Sequence, residues 1–161
     1  MTTYGQHQQP AGPILALDLG QKLVGAAVSD ELLITIKRLD PIRRSNWKQL
    51  LLDVQTLIRS YDAKTLVLGL PLRLDGTKGD AAESVIHLAR NFSLSLLIPV
   101  FLQDERLTSR EAETTLKAAG HNQFEVARLI DSEAAALILR DFLSTSERTL
   151  FDQEKQAPNT K

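Results

Sequence analysis

An α/β fold is the class that this sequence of 161 residues predicts. Short apolar runs alternate with longer segments whose apolar residues recur at helical spacing, which is typical of strands that alternate with helices. Short polar turns separate the first three apolar runs and predict an antiparallel start. Helices follow the later runs and predict right-handed β-α-β crossovers. The predicted order is βββαβαβαα, and the length suits one domain with a sizeable core.

Five segments are predicted to be strands. ILALDL at 14–19 is apolar on both faces, as expected of a central strand. The turn GQK leads into LVGAAVS at 23–29, so these two strands are expected to form a hairpin. LLITIK at 32–37 is the third strand of this meander. The fourth and fifth strands are TLVLGL at 65–70 and IPVFLQ at 98–103.

Four helices are predicted between and after these strands. Ser45 or Asn46 caps the first, which runs to Ser60, and apolar residues spaced between 82 and 92 mark the second. TSRE at 108–111 has the form of a capping box and begins a third helix that ends at Gly120. The last helix spans about 124–143.

The two ends of the chain differ in composition from the rest. Residues 1–12 are polar with Gly and Pro and are predicted to be a disordered leader. Residues 144–161 contain little that could be buried and are predicted to be a flexible tail. The folded domain is therefore expected over 13–143.

Composition excludes several classes of site. The chain has no cysteine, which rules out disulfides, thiolate metal sites and cysteine nucleophiles. It has only three histidines, so neither a histidine metal site nor a Ser-His-Asp triad is expected. The N-terminus lacks the features of a signal peptide, and no window approaches the roughly 20 apolar residues of a membrane span. These observations predict a cytoplasmic protein with no membrane partner. The net charge of −1 is not that of a generic nucleic-acid binder.

Three acidic positions are unexpected for their surroundings. Asp18 interrupts an apolar strand, where an unpaired carboxylate costs several kcal/mol. Asp131 falls on the same helical stripe as Ala135 and Ile138, unless the helix begins near residue 130 and Asp131 lies at its capped end. Asp104 and Glu105 follow the fifth strand at the carboxyl edge of the sheet, where α/β folds place ligand sites, although solvation or Arg106 could also account for them.

Together these acids predict a metal site. Two strand ends and the inner face of the last helix can bring the carboxylates to one place, where their repulsion would raise at least one pKa. Mg²⁺ or Mn²⁺ would offset that repulsion, because both prefer hard oxygen ligands. Two such ions about 3.5–4 Å apart could activate water and stabilise the leaving oxygen in phosphodiester cleavage.

Four motifs closely resemble the YqgF family, the bacterial RuvC-like proteins of the RNase H superfamily. They are ALDLGQKLVGAAVSD, LVLGLPLRLDGTKGDAAE, QDERLTSREAETTL and DSEAAALILRDFL, and the similarity covers about 14–143. The resemblance implies an RNase H-like fold, a five-stranded mixed sheet with its second strand antiparallel and helices on its flanks. It implies a metal-dependent nuclease with Asp18, Glu105 and Asp131 as catalytic metal ligands, Asp104 being the alternative to Glu105. The family roles are 5′-end maturation of pre-16S rRNA and, as the alternative, Holliday junction resolution.

The cations of this chain depart from the family pattern. Leu23 stands where the family usually has Arg, and Arg128 is the one cation of HNQFEVARLI, a segment that is often Lys-rich in the family. Fewer phosphate contacts are expected there, and weak intrinsic affinity for nucleic acid follows. The loop GLPLRLDGTKG at 69–79 is predicted to face the substrate, although its glycines could simply shape a turn. The predicted substrate-binding residues are Lys22, Arg73, Lys78, Arg106 and Arg128.

Other functions remain open at this point. An actin-like ATPase shares an Asp-Leu-Gly hairpin but needs a second lobe, and a non-catalytic module that binds RNA or protein need not retain three acids in apolar settings. The partner is expected to be precursor rRNA, free or in a ribosomal particle, or else branched DNA. Two symmetric cuts in a four-way junction would require a dimer, whereas a monomer could process RNA.

Overall fold

A computed structural model describes residues 10–106, 108–145 and 148–151. The side chains of residues 108–110, 128 and 149 lie outside this description. The strands are β1 (Ile14–Leu19), β2 (Leu23–Ser29), β3 (Ile36–Arg43), β4 (Thr65–Leu70), β5 (Val100–Asp104) and β6 (Thr149–Leu150). The helices are α1 (Trp47–Tyr61), α2 (Asp80–Ser95), α3 (Thr108–Ala118) and α4 (Gln123–Ser144). The predicted α/β class and the predicted element order are confirmed.

The strands form one mixed sheet in the order β3-β2-β1-β4-β5-β6. β2 runs antiparallel to β1 and β3, while β4 lies parallel to both β1 and β5. This is the predicted five-stranded arrangement with an antiparallel second strand. The short β6 extends it by pairing antiparallel with β5, which the sequence did not predict.

Each face of the sheet carries a hydrophobic core. Alternate residues of β1 and β4, among them Leu15, Leu17 and Leu66, pack under α1 and α2. The intervening residues, such as Ala16 and Val67, pack under α4 on the other face. A strand buried on both sides has to be apolar throughout, which explains the unbroken apolar runs of the sequence.

The third strand begins later than predicted. The side chain of Asp30 accepts hydrogen bonds from the backbone N–H groups of Ile34 (2.7 Å) and Thr35 (2.9 Å), and these bonds close a turn after β2. Leu33 in this turn has a φ of 61°, and Leu32 is 74% exposed. The prediction of a strand over 32–37 is therefore wrong for its first four residues, because side-chain bonding to the backbone competes with strand pairing there.

The helix ends agree better with the sequence. Asn46 caps α1, and its side chain accepts from the backbone N–H of Gln49 at 2.9 Å. Asn122 caps α4 in the same way by accepting from Glu125. Asp131 therefore lies two turns inside α4, and the alternative in which it sits at a capped helix end is wrong. No helix among the described residues is both long enough and apolar enough to cross a membrane.

Part of the segment predicted to be a flexible tail packs against the sheet. The backbone N–H of Phe151 donates to the carbonyl of Val100 at 2.8 Å, and the Phe151 side chain is 4% exposed. At the other end, Thr65 donates its hydroxyl to the carbonyl of Ala11. Residues 1–9 of the predicted leader and residues 146–147 and 152–161 of the predicted tail lie outside the described residues.

Candidate active site

Asp18 lies near the carboxyl end of β1, at the centre of the sheet. It pairs in register with Gly25 of β2 on one side. On the other side the parallel register with β4 runs to Leu17 and Leu68, which brings Gly69 next to Asp18. The carboxylate therefore stands between two strand positions that carry no side chain.

Glu105 reaches the site from the end of β5. Its backbone N–H donates to the carbonyl of Leu70 at 3.1 Å, which holds the start of the loop against β4. A Cβ on Gly69 would lie 2.5 Å from Oε2 of Glu105, closer than real contacts allow. Gly69 thus provides the space in which the carboxyl group of Glu105 lies next to Asp18.

Asp131 is brought to the site by a close approach of α4 to β2. A Cβ on Gly25 would lie 1.9 Å from the backbone oxygen of Asp131, so the helix backbone rests directly on this glycine. The side chain of Asp131 is directed to the turn after β1, because Oδ1 lies 4.0 Å from the position of a Cβ on Gly20. Glycine in a strand commonly marks such a close approach.

Two further contacts hold this part of α4 on the sheet. The hydroxyl of Ser132 donates to the carbonyl of Leu39 in β3 at 2.6 Å. Glu133 is 2% exposed and forms an ion pair with Arg38, whose Nη2 donates to Oε1 at 2.9 Å. Since both residues follow Asp131 directly, these contacts fix the position of Asp131 relative to β2 and β3.

The three acids interact electrostatically. Burial raises the pKa of Glu105 to about 9, and the negative charge of Asp18 adds to the rise. Burial also raises the pKa of Asp18. The hydrogen bond with Glu105 lowers this pKa, and the negative charge of Asp131 raises it further. Burial raises the pKa of Asp131 as well. At neutral pH, Glu105 therefore holds a proton and shares it with the carboxylate of Asp18.

Asp104 has a different partner from Glu105. Its Oδ2 lies 2.7 Å from Nη2 of Arg106, and its Oδ1 accepts from the backbone N–H of Arg106 at 2.9 Å. In the structure Glu105 therefore faces Asp18, whereas Asp104 faces Arg106. The residue pattern alone had left these two adjacent acids as alternative metal ligands.

Most of the predicted cations lie around one loop, residues 71–79, next to Glu105. The backbone N–H of Arg73 donates to the carbonyl of Thr77 at 2.9 Å, and Asp75 accepts from both the N–H and the hydroxyl of Thr77. Nε of Arg73 lies 2.9 Å from the position of a Cβ on Gly79. Nη1 of Arg106 is 3.4 Å from the carbonyl oxygen of Leu74.

Lys78 also belongs to this loop and is exposed at its end, whereas Lys22 is exposed in the turn between β1 and β2. The side chain of Arg128 lies outside the description. The structure thus brings Arg73, Lys78 and Arg106 to one loop and puts Lys22 on the opposite side of Asp18.

The family model of RuvX, described as Holliday junction resolvase, matches residues 12–145. The chain belongs to the RuvX family. RuvX and YqgF are two names for the same family, so the match confirms the resemblance seen in the four sequence motifs.

Two relatives are more than one third identical to this chain over the aligned residues. A protein of Syntrophus aciditrophicus (strain SB) named "Putative pre-16S rRNA nuclease" is 41% identical over 130 residues, which cover 81% of this chain and 87% of the relative. A protein of the same name from Lactobacillus johnsonii is 35% identical over 139 residues, which cover 84% of this chain and 97% of the relative. The similarity extends over nearly the whole length of both relatives.

Solved RuvC structures resemble this RuvX protein in fold. Thermus thermophilus RuvC in complex with a Holliday junction substrate has a TM-score of 0.52 at 11% identity, covering 86% of this chain and 98% of that chain. A second Thermus thermophilus RuvC structure has a TM-score of 0.50 at 10% identity, covering 86% and 99%. At such low identity the likeness concerns the fold alone, and it confirms the predicted RNase H-like architecture.

The donor chemistry of this RuvX site suits a divalent cation. Asp18 and Glu105 are half-buried residues whose carboxyl groups are joined by a hydrogen bond, and both have a raised pKa. Hard oxygen donors of this kind are those that Mg²⁺ and Mn²⁺ prefer, and a cation would replace the shared proton. Among the described residues, no group of three or more acids or histidines is already arranged as a complete set of metal ligands. The donors of the pair therefore suit a cation, and the charge of Asp131 acts on Asp18.

Sequence reasoning missed several residues that shape the RuvX site. Gly25 and Gly69 make room for α4 and Glu105, and the signal for both was glycine inside a strand pattern. Arg44 supports the turn after β1, because its Nη1 donates to the carbonyl of Gly20 at 2.9 Å. Arg38 and Glu133 carried no sequence signal, since nothing local shows that β3 crosses under α4.

Proposed function

We propose that this protein is a metal-dependent nuclease that hydrolyses phosphodiester bonds at the 5′ end of precursor 16S rRNA. The observation that carries the proposal is the half-buried, hydrogen-bonded pair of Asp18 and Glu105 at the carboxyl edge of the sheet, with the charge of Asp131 acting on Asp18. Withdrawing two acids from water even in part is costly for a protein that does not use them. The names of the relatives from Syntrophus and Lactobacillus support the choice of RNA.

In this proposal the three acids hold two divalent cations, Mg²⁺ or Mn²⁺. Bound cations supply Lewis-acid activation of water and offset the charge of the phosphate. Asp18 is fixed by the central strand, Glu105 by its backbone bond to Leu70, and Asp131 by the contact of α4 with Gly25. The chain thus supplies oxygen donors from three elements of the fold.

The cations of the loop 71–79 and its surroundings bind the phosphates of the substrate. Arg73, Lys78 and Arg106 lie on the Glu105 side of the site, while Lys22 lies on the side of the turn after β1. We also propose that Arg128 binds phosphate, because it lies on α4 about one turn before Asp131. Since these contacts are few, binding should remain modest for a substrate without its natural partners, and it should weaken less steeply with salt than the binding of a protein with many phosphate contacts.

Resolution of Holliday junctions is the second candidate function. The description of the RuvX family favours it, and so does the likeness of the fold to RuvC. Two symmetric cuts would require two copies of this site in a dimer, whereas cleavage of RNA requires one.

A cleavage assay separates these functions. The purified protein is incubated with a precursor rRNA fragment that contains the 5′ leader and, in parallel, with a synthetic four-way DNA junction, each with Mn²⁺, Mg²⁺ or EDTA. We expect metal-dependent cleavage of the RNA. Paired cuts in the junction would instead establish the resolvase, and cleavage of neither substrate would contradict the proposal.

Two variants accompany the assay. Asp18→Asn removes one oxygen donor from the site and should abolish cleavage. Asp62→Asn, a matched change at the end of α1 where the carboxylate is exposed and pairs with Lys64, should leave cleavage unchanged. Full activity of Asp18→Asn would refute the catalytic role of Asp18.

A further inference from the structure

Phe124, in the first turn of α4, exposes a large aromatic side chain to solvent. It is 88% exposed, whereas the other strongly exposed large apolar residues of the described chain are leucines and an isoleucine. An aromatic ring left in water forgoes about 1.5–3 kcal/mol of burial. The ring is also too exposed to serve as a staple for the helix end. Its exposure leaves the ring available for a contact outside the described chain.

The position of Phe124 on α4 relates it to the candidate active site. At 100° per residue, Phe124 shares one helical face with Asp131, Ala135, Ile138 and Phe142. The last three residues of this face are buried against the sheet. Phe124 occupies the same face two turns before Asp131, beyond the point where α4 meets β2 at Gly25. It thus shares the face of the buried residues and is itself exposed.

Among the described side chains, the neighbours of Phe124 on α4 leave its ring exposed. Val126 is buried, and Ile130 packs with α3 and α4 residues on a different side of the helix. Between Phe124 and Asp131 this side of the helix carries the small exposed residue Ala127 and Arg128, whose side chain lies outside the description. Seven residues of helix separate Phe124 from Asp131 by about 10 Å, or about three stacked nucleotides. A strand cleaved at the acids can therefore reach the ring.

We propose that Phe124 is a stacking platform for an unpaired base of the nucleic acid whose backbone lies at Asp18, Glu105 and Asp131. The inference rests on the proposed nuclease function and narrows its substrate to one with a single-stranded segment beside the cleaved bond. A base in a duplex has both of its faces covered by neighbouring bases, whereas an unpaired base offers a face to an aromatic ring. Stacking of this kind accepts any base, so Phe124 contributes affinity rather than sequence preference.

Fluorescence of a Phe124→Trp variant tests the proposal directly. The natural Trp47 packs edge-on against Phe92, with ring centroids 4.8 Å apart, and provides a constant background. The full-length variant is titrated in EDTA, which prevents metal-dependent cleavage, with a single-stranded RNA oligonucleotide and with a duplex of the same sequence. We expect saturable quenching by the single strand and little quenching by the duplex.

Affinity measurements on matched variants complete the test. Phe124→Ala should weaken binding of the single strand roughly 5- to 100-fold, which is the range for loss of one stacked base. Phe124→Tyr should restore it. Leu97→Ala, at a fully exposed apolar position between α2 and β5, should leave binding unchanged.

Several outcomes would overturn the proposal. These are equal weakening of single-strand and duplex binding by Phe124→Ala, an unchanged affinity, or no binding of the single strand by the wild-type chain. A shift of the oligomeric state in Phe124→Ala with unchanged affinity would assign the ring to a protein contact instead. If the single strand quenches the fluorescence but the wild-type protein cleaves no substrate, stacking on Phe124 would be supported and the nuclease function refuted. Failure of the stacking proposal and failure of the nuclease proposal are therefore distinguishable.

Discussion

Glu105 holds a proton at neutral pH because its carboxyl group is buried beside Asp18, and this proton links the stability of the protein to pH. Burial and the charge of Asp18 raise the pKa of Glu105 from an ordinary 4.5 to about 9 in the folded protein. The folded state therefore binds this proton more tightly than the unfolded state does. The resulting stabilisation is fully present below about pH 4.5 and is lost as pH rises toward 9.

We expect the free energy of unfolding of the metal-free protein to fall with rising pH between about 5 and 9, by up to about 1.4 kcal/mol per pH unit for one proton. Glu105→Gln cannot ionise and should flatten this dependence. Urea denaturation in EDTA at several pH values measures both slopes. Glu31→Gln, in an exposed turn, should retain the wild-type slope, and identical slopes for Glu105→Gln and the wild type would contradict the assignment.

Gly69 provides the space for Glu105, and filling that space should separate stability from activity. In Gly69→Ala the new Cβ would lie 2.5 Å from both Oε2 of Glu105 and Cδ1 of Ile138. We expect a loss of about 1–3 kcal/mol in unfolding free energy from overpacking. We also expect a large loss of cleavage, because the carboxyl group of Glu105 must move.

The double variant Gly69→Ala with Ile138→Val tests the cause of each loss. Valine lacks Cδ1, so the double variant relieves the contact with residue 138 while the contact with Glu105 remains. Denaturation should show partial recovery of stability, whereas the cleavage assay should show none. Recovery of both would mean that Gly69 acts through α4 packing rather than through Glu105.

At the scale of elements, α4 is held over the sheet by contacts that flank Asp131. Glu133 is buried, and the side chain of Arg38, its partner, is 54% exposed. Arg38→Met would leave the carboxylate of Glu133 buried without its partner. We expect a loss of about 2 kcal/mol, below the 3–5 kcal/mol of a fully buried pair because water can reach the Arg38 side of the contact.

A second change should recover that loss. Arg38→Met with Glu133→Leu removes both charges, and thermal unfolding should return close to that of the wild type. Arg43→Met, an exposed cation of the same strand, should have little effect on unfolding. An Arg38→Met protein as stable as the wild type would show that the ion pair does not hold α4.

The elements differ in how well the sequence predicted them. β1, β2 and β4 were predicted with their observed bounds, because strands at the centre of the sheet are apolar throughout. The start of β3 was wrong because Asp30 closes a turn through a side-chain bond. Asp131 was recognised from its helical stripe, which depends on local periodicity. The choice between Asp104 and Glu105 depends on which partner each side chain meets across the fold, so spacing could not make it. The two site glycines did carry a signal, glycine inside a strand, but which element approaches each of them depends on the fold.

At the scale of the whole molecule, the site joins the central strand, the end of β5 and α4, so a cation bound there would tie these parts together. A ligand that binds the folded state alone stabilises it by about 2.7 kcal/mol at one hundred times its dissociation constant. We expect the melting temperature of the wild type to rise with Mn²⁺ concentration.

Asp18→Asn should lack this rise, and differential scanning calorimetry measures it. The effect should also shrink as pH is lowered, because the proton on Glu105 competes with the cation. Asp62→Asn serves as the control that retains the rise. A rise of the same size in Asp18→Asn would place the cation elsewhere on the molecule.

β6 has a consequence for how the protein is handled. The family match ends at residue 145, whereas the strand that pairs with β5 lies at Thr149–Leu150. A chain cut back to the family boundary would uncover the outer edge of β5 together with the cavity left by Phe151. Bare sheet edges recruit strands from other molecules. The shortened protein would self-associate through that edge, and its apparent dimer would be mistaken for the paired arrangement that junction cleavage requires.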